Sequence, residues 1–328
     1  MALSGLPNRQ QIALGDFEIE KVTDLRQTSQ YAHYLRLQGW QVNKINGAYI
    51  FIRKLFGISI VKIQRAPITP EACAAFPRGV GIIYLEPLNK KQIPPGFKLK
   101  KTTFLPSKTL EINLKQSEEK ILQQMKKDAR YAIRQAQTSG ISVYHNIGIS
   151  GYRRAWRQST PWRRWVPSLK SLQNLHATFG KNAWFLAAVV HHQIIAGTVI
   201  LIAARRAYYY YAFTGRLGRQ LLAQYLLVWE AIKQAKKIGC QELDFEGLYD
   251  QRFPDQSWRG FSHFKQSFGG REIEYPGCFG KLVRSEQTFD KFFRLTAFFK
   301  NTAFFFRRYT GNQILTCKKL IMGFLIKI

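Results

Sequence analysis

Three strand-like segments in close succession, followed by one helical segment and one more strand, constrain the fold of this chain most. Residues 184–190, 193–203 and 207–213 are rich in β-branched and aromatic side chains, and short turns separate them, which is typical of a strand meander. Residues 221–237 repeat apolar side chains at helical spacing, and residues 242–245 predict a short strand. This mixture of strands and helices predicts the α+β class.

The first half of the chain shows a comparable order of elements. Strands are predicted at residues 58–63, 80–85 and 109–114, and one helix is predicted from Ser117, which can cap it, to Ser139. We therefore expect two domains, at residues 26–140 and 141–285, although no sequence repeat relates them. Residues 1–25 are expected to form a poorly ordered lead-in, and residues 286–328 a basic, aromatic helical tail.

Three cations on the predicted helix suit contacts to phosphate. Lys127, Arg130 and Arg134 follow one another at three- and four-residue steps, which would place them on one shared exposed face. An ordinary solvated helix face has the same pattern. We take the three as candidate substrate-binding residues.

The charge of the chain indicates a polyanionic partner. Its 328 residues contain 50 Lys and Arg against 20 Asp and Glu, a formal net charge of +30. A charge of this sign and size suits nucleic acid, an anionic membrane surface or a phosphorylated substrate, and charge alone does not separate the three.

Neither a metal site nor a disulfide framework is predicted. The four cysteines have no C-x-x-C spacing, and the adjacent His191 and His192 would point to opposite faces of a strand. No apolar secretory segment opens the chain, and no stretch reaches the length of a spanning helix, so we expect a cytoplasmic protein. In the tail, aromatic residues alternate with Lys and Arg, which fits either peripheral contact with an anionic membrane or a helix docked on the body.

The segment from Trp258 to Gly270 carries the strongest functional pattern. Its sequence, Trp-Arg-Gly-Phe-Ser-His-Phe-Lys-Gln-Ser-Phe-Gly-Gly, places Lys265 beside Phe264 and Phe268 on a predicted helical turn. A Lys held among aromatic side chains loses part of its hydration, which strengthens its action on a charge that develops nearby. A Lys whose stem merely covers core aromatics, closed by a Gly-Gly turn, has the same pattern.

The motif Phe-Lys-x-x-Phe-Gly-Gly, with Tyr275-Pro-Gly after it, resembles the closing motif of the FemABX aminoacyltransferases. Weaker likenesses follow in the family's order at residues 62–67, 84–87, 109–114, 127–136, 208–232 and 244–247. Two residues depart from the family pattern, because Ala66 replaces the usual Gly and Glu246 stands where an aromatic residue or Gly is commoner. The chain lacks a long coiled-coil insertion, so it resembles the compact members.

This resemblance implies two tandem GNAT-like acyltransferase domains and a defined reaction. An amino acid would pass from aminoacyl-tRNA to the stem-peptide amine of a peptidoglycan precursor, either lipid II or UDP-MurNAc-pentapeptide. Aminoacyl-tRNA would be the co-substrate, with no other cofactor. The protein would act as a monomer in the cytoplasm or at the inner face of the membrane.

The resemblance also implies roles for individual residues. Lys265 would stabilise the oxyanion of the tetrahedral intermediate. The chemistry of that reaction also needs a proton acceptor for the attacking amine, either the substrate itself or a carboxylate such as Asp244 or Glu246 at a strand end, although a structural role for a buried Asp is at least as compatible with the sequence.

Phe264, Tyr210 and Tyr275 are further candidate substrate-binding residues. The four consecutive tyrosines at residues 208–211 would alternate between the two faces of their strand, so that only one pair lines a pocket.

Three other functions stay open. An acetyl-CoA-dependent N-acyltransferase would need a glycine-rich loop before the helix at residue 221, and Gly215-Arg-Leu-Gly-Arg matches that loop only in part. A basic protein that binds RNA or a membrane surface without catalysis would not need Lys265. Aminoacyl transfer to a phospholipid headgroup would keep the chemistry and change the acceptor.

Overall fold

The computed structural model describes residues 24–55, 58–66, 80–101, 103–162 and 164–283. Within these ranges the chain forms two mixed β-sheets with helices packed against them, so the predicted α+β class is confirmed. No helix of the described part is long and apolar enough to cross a membrane.

The first sheet has six strands. They are β1 (Gln41–Ile45), β2 (Ala48–Leu55), β3 (Ile58–Gln64), β4 (Val80–Glu86), β5 (Lys98–Leu99) and β13 (Phe279–Leu282), in the order β1-β2-β3-β4-β13-β5. Neighbouring strands are antiparallel except β3 and β4, which are parallel. Helix α1 (Ser29–Leu37) precedes this sheet and begins where the Thr28 hydroxyl accepts the N–H of Tyr31.

The second sheet has seven strands and contains the predicted meander. They are β6 (Lys108–Asn113), β7 (Ser142–His145), β8 (Ala183–Val190), β9 (Gln193–Ala203), β10 (Arg206–Thr214), β11 (Glu242–Asp244) and β12 (Arg271–Glu274), in the order β12-β6-β11-β10-β9-β8-β7. The meander β8-β9-β10 lies within a residue of the predicted bounds and is antiparallel, whereas β11 pairs with β10 in parallel.

Helices cover both faces of the second sheet. They are α2 (Glu118–Gln124), α3 (Lys127–Gln137), α4 (Ile149–Ser159), α5 (Leu169–Phe179), α6 (Arg216–Gln220), α7 (Ala223–Lys237) and α8 (Arg259–Gln266). Side chains of α2, α3 and α7 form a core on one face, and side chains of α1, α4 and α5 form a core on the other. The predictions included α7 but neither α4 nor α5.

The single helix predicted at residues 117–139 is wrong, because the structure divides it into α2 and α3. Met125 is extended between them, with ψ at 149°. The N–H of Lys126 donates to the carbonyl oxygen of Ser267, 2.8 Å away, instead of continuing the helix. A tertiary hydrogen bond therefore interrupts a segment whose local pattern favours one continuous helix.

Strands of the two halves are exchanged between the sheets. β6 lies in the range 26–140 expected for the first domain and joins the second sheet, whereas β13 lies in the range 141–285 and pairs with β4 and β5. The domain limits themselves stay a prediction. The lead-in was expected to reach residue 25, but Asp24 and Leu25 are buried. Residues 1–23 and the predicted tail at 286–328 lie outside the described residues.

Candidate active site

The site lies where two parallel strands diverge. β10 and β11 pair over only three residues, Arg206 to Tyr208 with Glu242 to Asp244, while β10 continues to Thr214. A bulge between Tyr209 and Tyr211 changes the course of β10 at the same point. The chain after β11 therefore turns away from the sheet and meets helix α8, which carries Lys265.

Lys265 projects from α8 into this region and is almost completely buried. Its Nζ donates to the carbonyl oxygen of Gly247, 2.8 Å away, and lies 5.4 Å from the ring centre of Trp258 and 5.8 Å from that of Tyr209. Burial lowers the pKa of Lys265 to about 8, against the opposing effect of the Glu246 and Asp244 carboxylates. The rings that this ammonium faces are therefore those of Trp258 and Tyr209, whereas the sequence placed it beside Phe264 and Phe268.

The aromatic residues of the motif hold α8 against α7. Phe268 is fully buried and stacks on Tyr225 with ring centres 5.6 Å apart, and it also contacts Phe245. Phe264 is half-buried and meets the edge of Tyr225 at 4.8 Å. Both Phe side chains therefore contribute to packing, and the role of Phe264 in substrate binding stays a prediction.

The Gly-Gly pair permits a close approach to protein backbone. Gly269 and Gly270 have φ values of 74° and 96°. A Cβ on Gly269 would overlap the carbonyl oxygen of Gln124, and one on Gly270 would overlap that of Glu111. The pair thus packs the end of the motif against α2 and β6, which explains both glycines without a ligand.

Asp244 and Glu246 lie at the end of β11 and differ in their surroundings. The Oδ1 atom of Asp244 accepts hydrogen bonds from the Thr109 hydroxyl at 2.5 Å and the Glu246 N–H at 2.7 Å. Burial, and then the nearby Glu246 carboxylate, raise the pKa of Asp244 to about 7. Both carboxylate oxygens of Glu246 accept from the guanidinium of Arg26, so Asp244 suits proton acceptance better than Glu246 does.

Arg26 belongs to the site, and the sequence reasoning missed it. It lies in a 3₁₀ turn, Leu25–Gln27, capped by the Asp24 side chain, and its own side chain is buried with that of Glu246. The Tyr208 hydroxyl accepts the Leu25 N–H at 3.1 Å, which ties this turn to β10. The polar pattern Asp-x-Arg-x-Thr before α1 was the available signal, but the lead-in was expected to be poorly ordered.

The ring of Tyr275 packs against a cation. The Arg65 guanidinium lies 3.4 Å from the centre of its ring, and Arg65 also donates to the Pro106 carbonyl oxygen at 2.6 Å. Asp24 lies 3.8 Å from Arg65 and 3.5 Å from Arg26, so one carboxylate serves both cations. The substrate-binding role of Tyr275 stays a prediction.

The predicted alternation of the four tyrosines is wrong because of the bulge in β10. Tyr208 packs on the face of α4 and α5, and Tyr209 on the opposite face. The extra residue then leaves both Tyr210 and Tyr211 on the face of Tyr208, with ring centres 4.5 Å apart. Of the four, Tyr209 lies beside Lys265, whereas Tyr210, the candidate chosen from sequence, packs on the other face.

The three predicted phosphate contacts do not share one exposed face. Lys127 and Arg134 are exposed, but Arg130 is half-buried and donates to the carbonyl oxygens of Met125 and Gln123 at the end of α2. The break between α2 and α3 creates these acceptors. The first turn of α3 nevertheless lies against Ser267, two residues after Lys265, so the substrate-binding roles of all three stay predictions.

Two other features lie apart from this region. A shallow polar depression of about 470 Å³ between α2 and α7 is lined by residues that include Glu118, His145 and Lys233, and by none of the predicted site residues. In the described part of the chain, no group of three or more His, Cys, Asp or Glu side chains could hold a metal ion.

Comparison with known proteins agrees with this geometry. Residues 169–289, which include Lys265 and the Gly-Gly pair, match the FemAB family. No curated protein sequence matches the chain. The crystal structure of FemX is similar, with a TM-score of 0.65 at 15% identity, over 79% of this chain and 92% of that one.

Two further solved structures share the fold at lower similarity. L-PGS from Bacillus licheniformis has a TM-score of 0.55 at 11% identity, over 78% of this chain and 88% of that one. The C-terminal domain of a putative lysylphosphatidylglycerol synthetase from Agrobacterium fabrum has a TM-score of 0.52 at 11% identity, over 80% and 90%. The chain therefore shares its fold with these proteins, and its residues 169–289 resemble the FemAB family in sequence.

Proposed function

We propose that this enzyme transfers an amino acid from aminoacyl-tRNA to the stem-peptide amine of a peptidoglycan precursor. The observation that supports this most is the buried ammonium of Lys265 beside the buried carboxyl group of Asp244, at the divergence of β10 and β11. Aminolysis of an ester needs a cation for the developing oxyanion and a base for the amine proton, and this pair has both. No nucleophilic Ser or Cys is required.

Lys265 is suited to stabilising the developing oxyanion because its ammonium has N–H donors to spare. An ammonium has three N–H donors, and one of them is directed at the Gly247 carbonyl oxygen. The others are available to an oxyanion formed beside Tyr209 and Trp258. Because the ammonium is buried, its attraction for that oxyanion is less screened than it would be in water. The charge it stabilises exists only after the amine has attacked, so the effect lowers the barrier.

Asp244 is suited to accepting the proton of the attacking amine because its pKa is raised. A carboxyl group with a pKa of about 7 accepts a proton more readily near neutral pH than an ordinary Asp does. Its Oδ1 atom accepts the hydrogen bonds from Thr109 and Glu246, and its Oδ2 atom lies 3.8 Å from the Arg206 guanidinium, so Oδ2 is the oxygen that we propose takes the amine proton.

The acetyl-CoA alternative is weakened at both glycines of its partial loop, Gly215 and Gly218. Its pyrophosphate would need free N–H groups at this turn. The Gly215 N–H instead donates to the Ile195 carbonyl oxygen at 2.8 Å, and the Arg219 N–H donates to that of Gly215. A Cβ on Gly218 would overlap the Ile195 carbonyl oxygen, so packing against β9 accounts for this glycine.

The test is transfer of labelled amino acids from a mixed aminoacyl-tRNA pool to three acceptors: lipid II, UDP-MurNAc-pentapeptide and phosphatidylglycerol. We expect label in a peptidoglycan precursor and a loss of roughly 100-fold or more in Lys265→Ala. Lys62→Ala is the matched control, because Lys62 is also buried, with its pKa also lowered to about 8, but lies in the first sheet. Label in phosphatidylglycerol alone would overturn the proposed acceptor, and acetyl-CoA turnover without any label would overturn the reaction.

A further inference from the structure

The middle of the chain contains no acidic residue. No Asp or Glu occurs between Asp128 and Glu230, whereas Lys and Arg recur throughout this stretch. It includes α4, α5, α6 and the meander β8-β9-β10. The cations of this stretch are therefore not compensated by carboxylates of the same stretch.

Two tryptophans project from this stretch, in the connection between α4 and α5. Trp162 is 79% exposed and Trp165 is 39% exposed. The backbone beneath them is held by Arg157, whose guanidinium donates to the carbonyl oxygens of Thr160 at 2.8 Å, Pro161 at 2.6 Å and Arg164 at 3.0 Å. These hydrogen bonds hold the backbone on both sides of Trp162, so little conformational entropy of the backbone is lost when a partner binds.

Further exposed apolar and basic side chains lie on the helices that adjoin this connection. Leu169 begins α5 directly after the connection, and Leu217 lies on α6; they are 37% and 39% exposed. The end of α4 and the start of α6 are adjacent, because a Cβ on Gly215 would lie 3.2 Å from the Ser159 hydroxyl oxygen. We call Trp162, Trp165, Leu169 and Leu217, with the exposed Arg154, Arg164 and Arg216, the tryptophan patch. Among the described residues, none of these three arginines forms an ion pair.

We propose that the tryptophan patch inserts into the interface of an anionic lipid bilayer. Indole rings favour the headgroup region, where the apolar ring is buried and the N–H stays hydrated, and neighbouring arginines bind anionic headgroups. Exposed Leu side chains beside the indoles add apolar area that the bilayer interface buries. This proposal does not depend on the aminoacyl transfer proposed above.

A bilayer fits the patch better than RNA does. The two indoles alone would suit a stacked base as well as a lipid headgroup region. The aliphatic side chains of Leu169 and Leu217 would not contribute to binding a phosphate or a base. The basic residues alone would likewise suit either polyanion, so the exposed leucines decide between them.

The test is sedimentation of the full chain with vesicles of phosphatidylcholine alone and of phosphatidylcholine mixed with phosphatidylglycerol. We expect binding to the mixed vesicles only, and a reduction of about tenfold in Trp162→Ala/Trp165→Ala. Replacing Arg154 and Arg164 by Ala is expected to weaken binding about fivefold for each arginine. In the Trp162→Phe/Trp165→Phe variant, quenching of Trp fluorescence by brominated lipid is expected to fall while binding persists.

Two control variants distinguish binding by the tryptophan patch from binding by the overall positive charge or by the tail at residues 286–328. Tyr131→Ala/Tyr144→Ala removes two other exposed aromatics, and Lys115→Ala/Lys120→Ala removes two exposed cations from other elements; both variants should bind as the wild type does. The tail is present in every variant, so unchanged binding of Trp162→Ala/Trp165→Ala would overturn the proposal. Loss of RNA binding in that variant, with vesicle binding intact, would assign the patch to RNA and overturn it equally.

Discussion

The ammonium of Lys265 is fixed on the carbonyl oxygen of Gly247 at 2.8 Å, and Gly247 itself has no room for a side chain. Its φ is 132°, and a Cβ there would overlap the Trp258 ring, which is one of the two rings beside the ammonium. The position of the acceptor carbonyl and the position of the ring are therefore set by the same glycine.

Gly247→Ala is expected to destabilise the fold by roughly 2 kcal/mol or more, since it combines backbone strain with overpacking. Gly140→Ala is the matched control, because Gly140 also has a positive φ, 69°, but a Cβ there meets nothing within 4 Å. Denaturant unfolding of the two variants separates strain from overlap. Equal losses of stability in the two variants would show that overlap with the Trp258 ring adds nothing to the destabilisation in Gly247→Ala.

The pKa values of the two buried groups predict a narrow pH range for activity. Transfer needs Asp244 unprotonated and Lys265 protonated, and their pKa values are about 7 and about 8. We expect kcat/KM to rise through about pH 7 and fall above about pH 8. The basic limb is expected to move to higher pH in Lys265→Arg, because a guanidinium keeps its proton. A basic limb that stays in place in this variant would assign it to another group.

The sequence predicted elements better than it predicted contacts between them. The strands of the meander and α7 have strong local periodicity, and their bounds lie within two residues of the predicted ones. The break between α2 and α3 depends on the Ser267 carbonyl oxygen, more than a hundred residues away, so no local pattern could reveal it.

The candidate site shows the same difference. The motif pointed to Lys265 and the strand end to Asp244, and both side chains are buried, while their catalytic roles stay predictions. The bulge in β10, which brings Tyr209 instead of Tyr210 beside Lys265, has no sequence signature within four identical residues. Arg26 was missed because its partner Glu246 lies in another part of the chain, and a pairing over that distance is set by the fold.

Asp244→Asn is expected to change the pH dependence of stability. Burial raises the pKa of Asp244 from its ordinary value to about 7, so the folded state holds this proton more tightly than the unfolded state does. The stability associated with that proton is present at acidic pH and is lost as the pH rises through about 7. The Asn variant should therefore gain stability relative to the wild type between about pH 5 and 8, by about 2 kcal/mol. Asp128→Asn, at an exposed position, should show no such gain in parallel urea titrations.

Arg26→Met is expected to be strongly destabilising. It leaves the buried carboxylate of Glu246 without its cation, which costs about 3–5 kcal/mol in comparable buried pairs. Glu246 has a φ of 57° and precedes Gly247, so its release also frees the carbonyl that holds Lys265. Transfer should fall mainly in kcat, since the ammonium loses its fixed position.

The double variant Arg26→Met/Glu246→Gln tests whether the pair acts as a unit. Removing both charges should restore about half of the lost stability, because no unpaired carboxylate is then buried. Activity should stay low, because Gly247 is still not held in place. Urea unfolding of the wild type, the two single variants Arg26→Met and Glu246→Gln, and the double variant gives the coupling free energy of this double-mutant cycle. If the losses of stability from the two single substitutions simply add in the double variant, the pairing is contradicted. Full recovery of kcat in the double variant would show that Arg26 affects only stability and does not position Lys265.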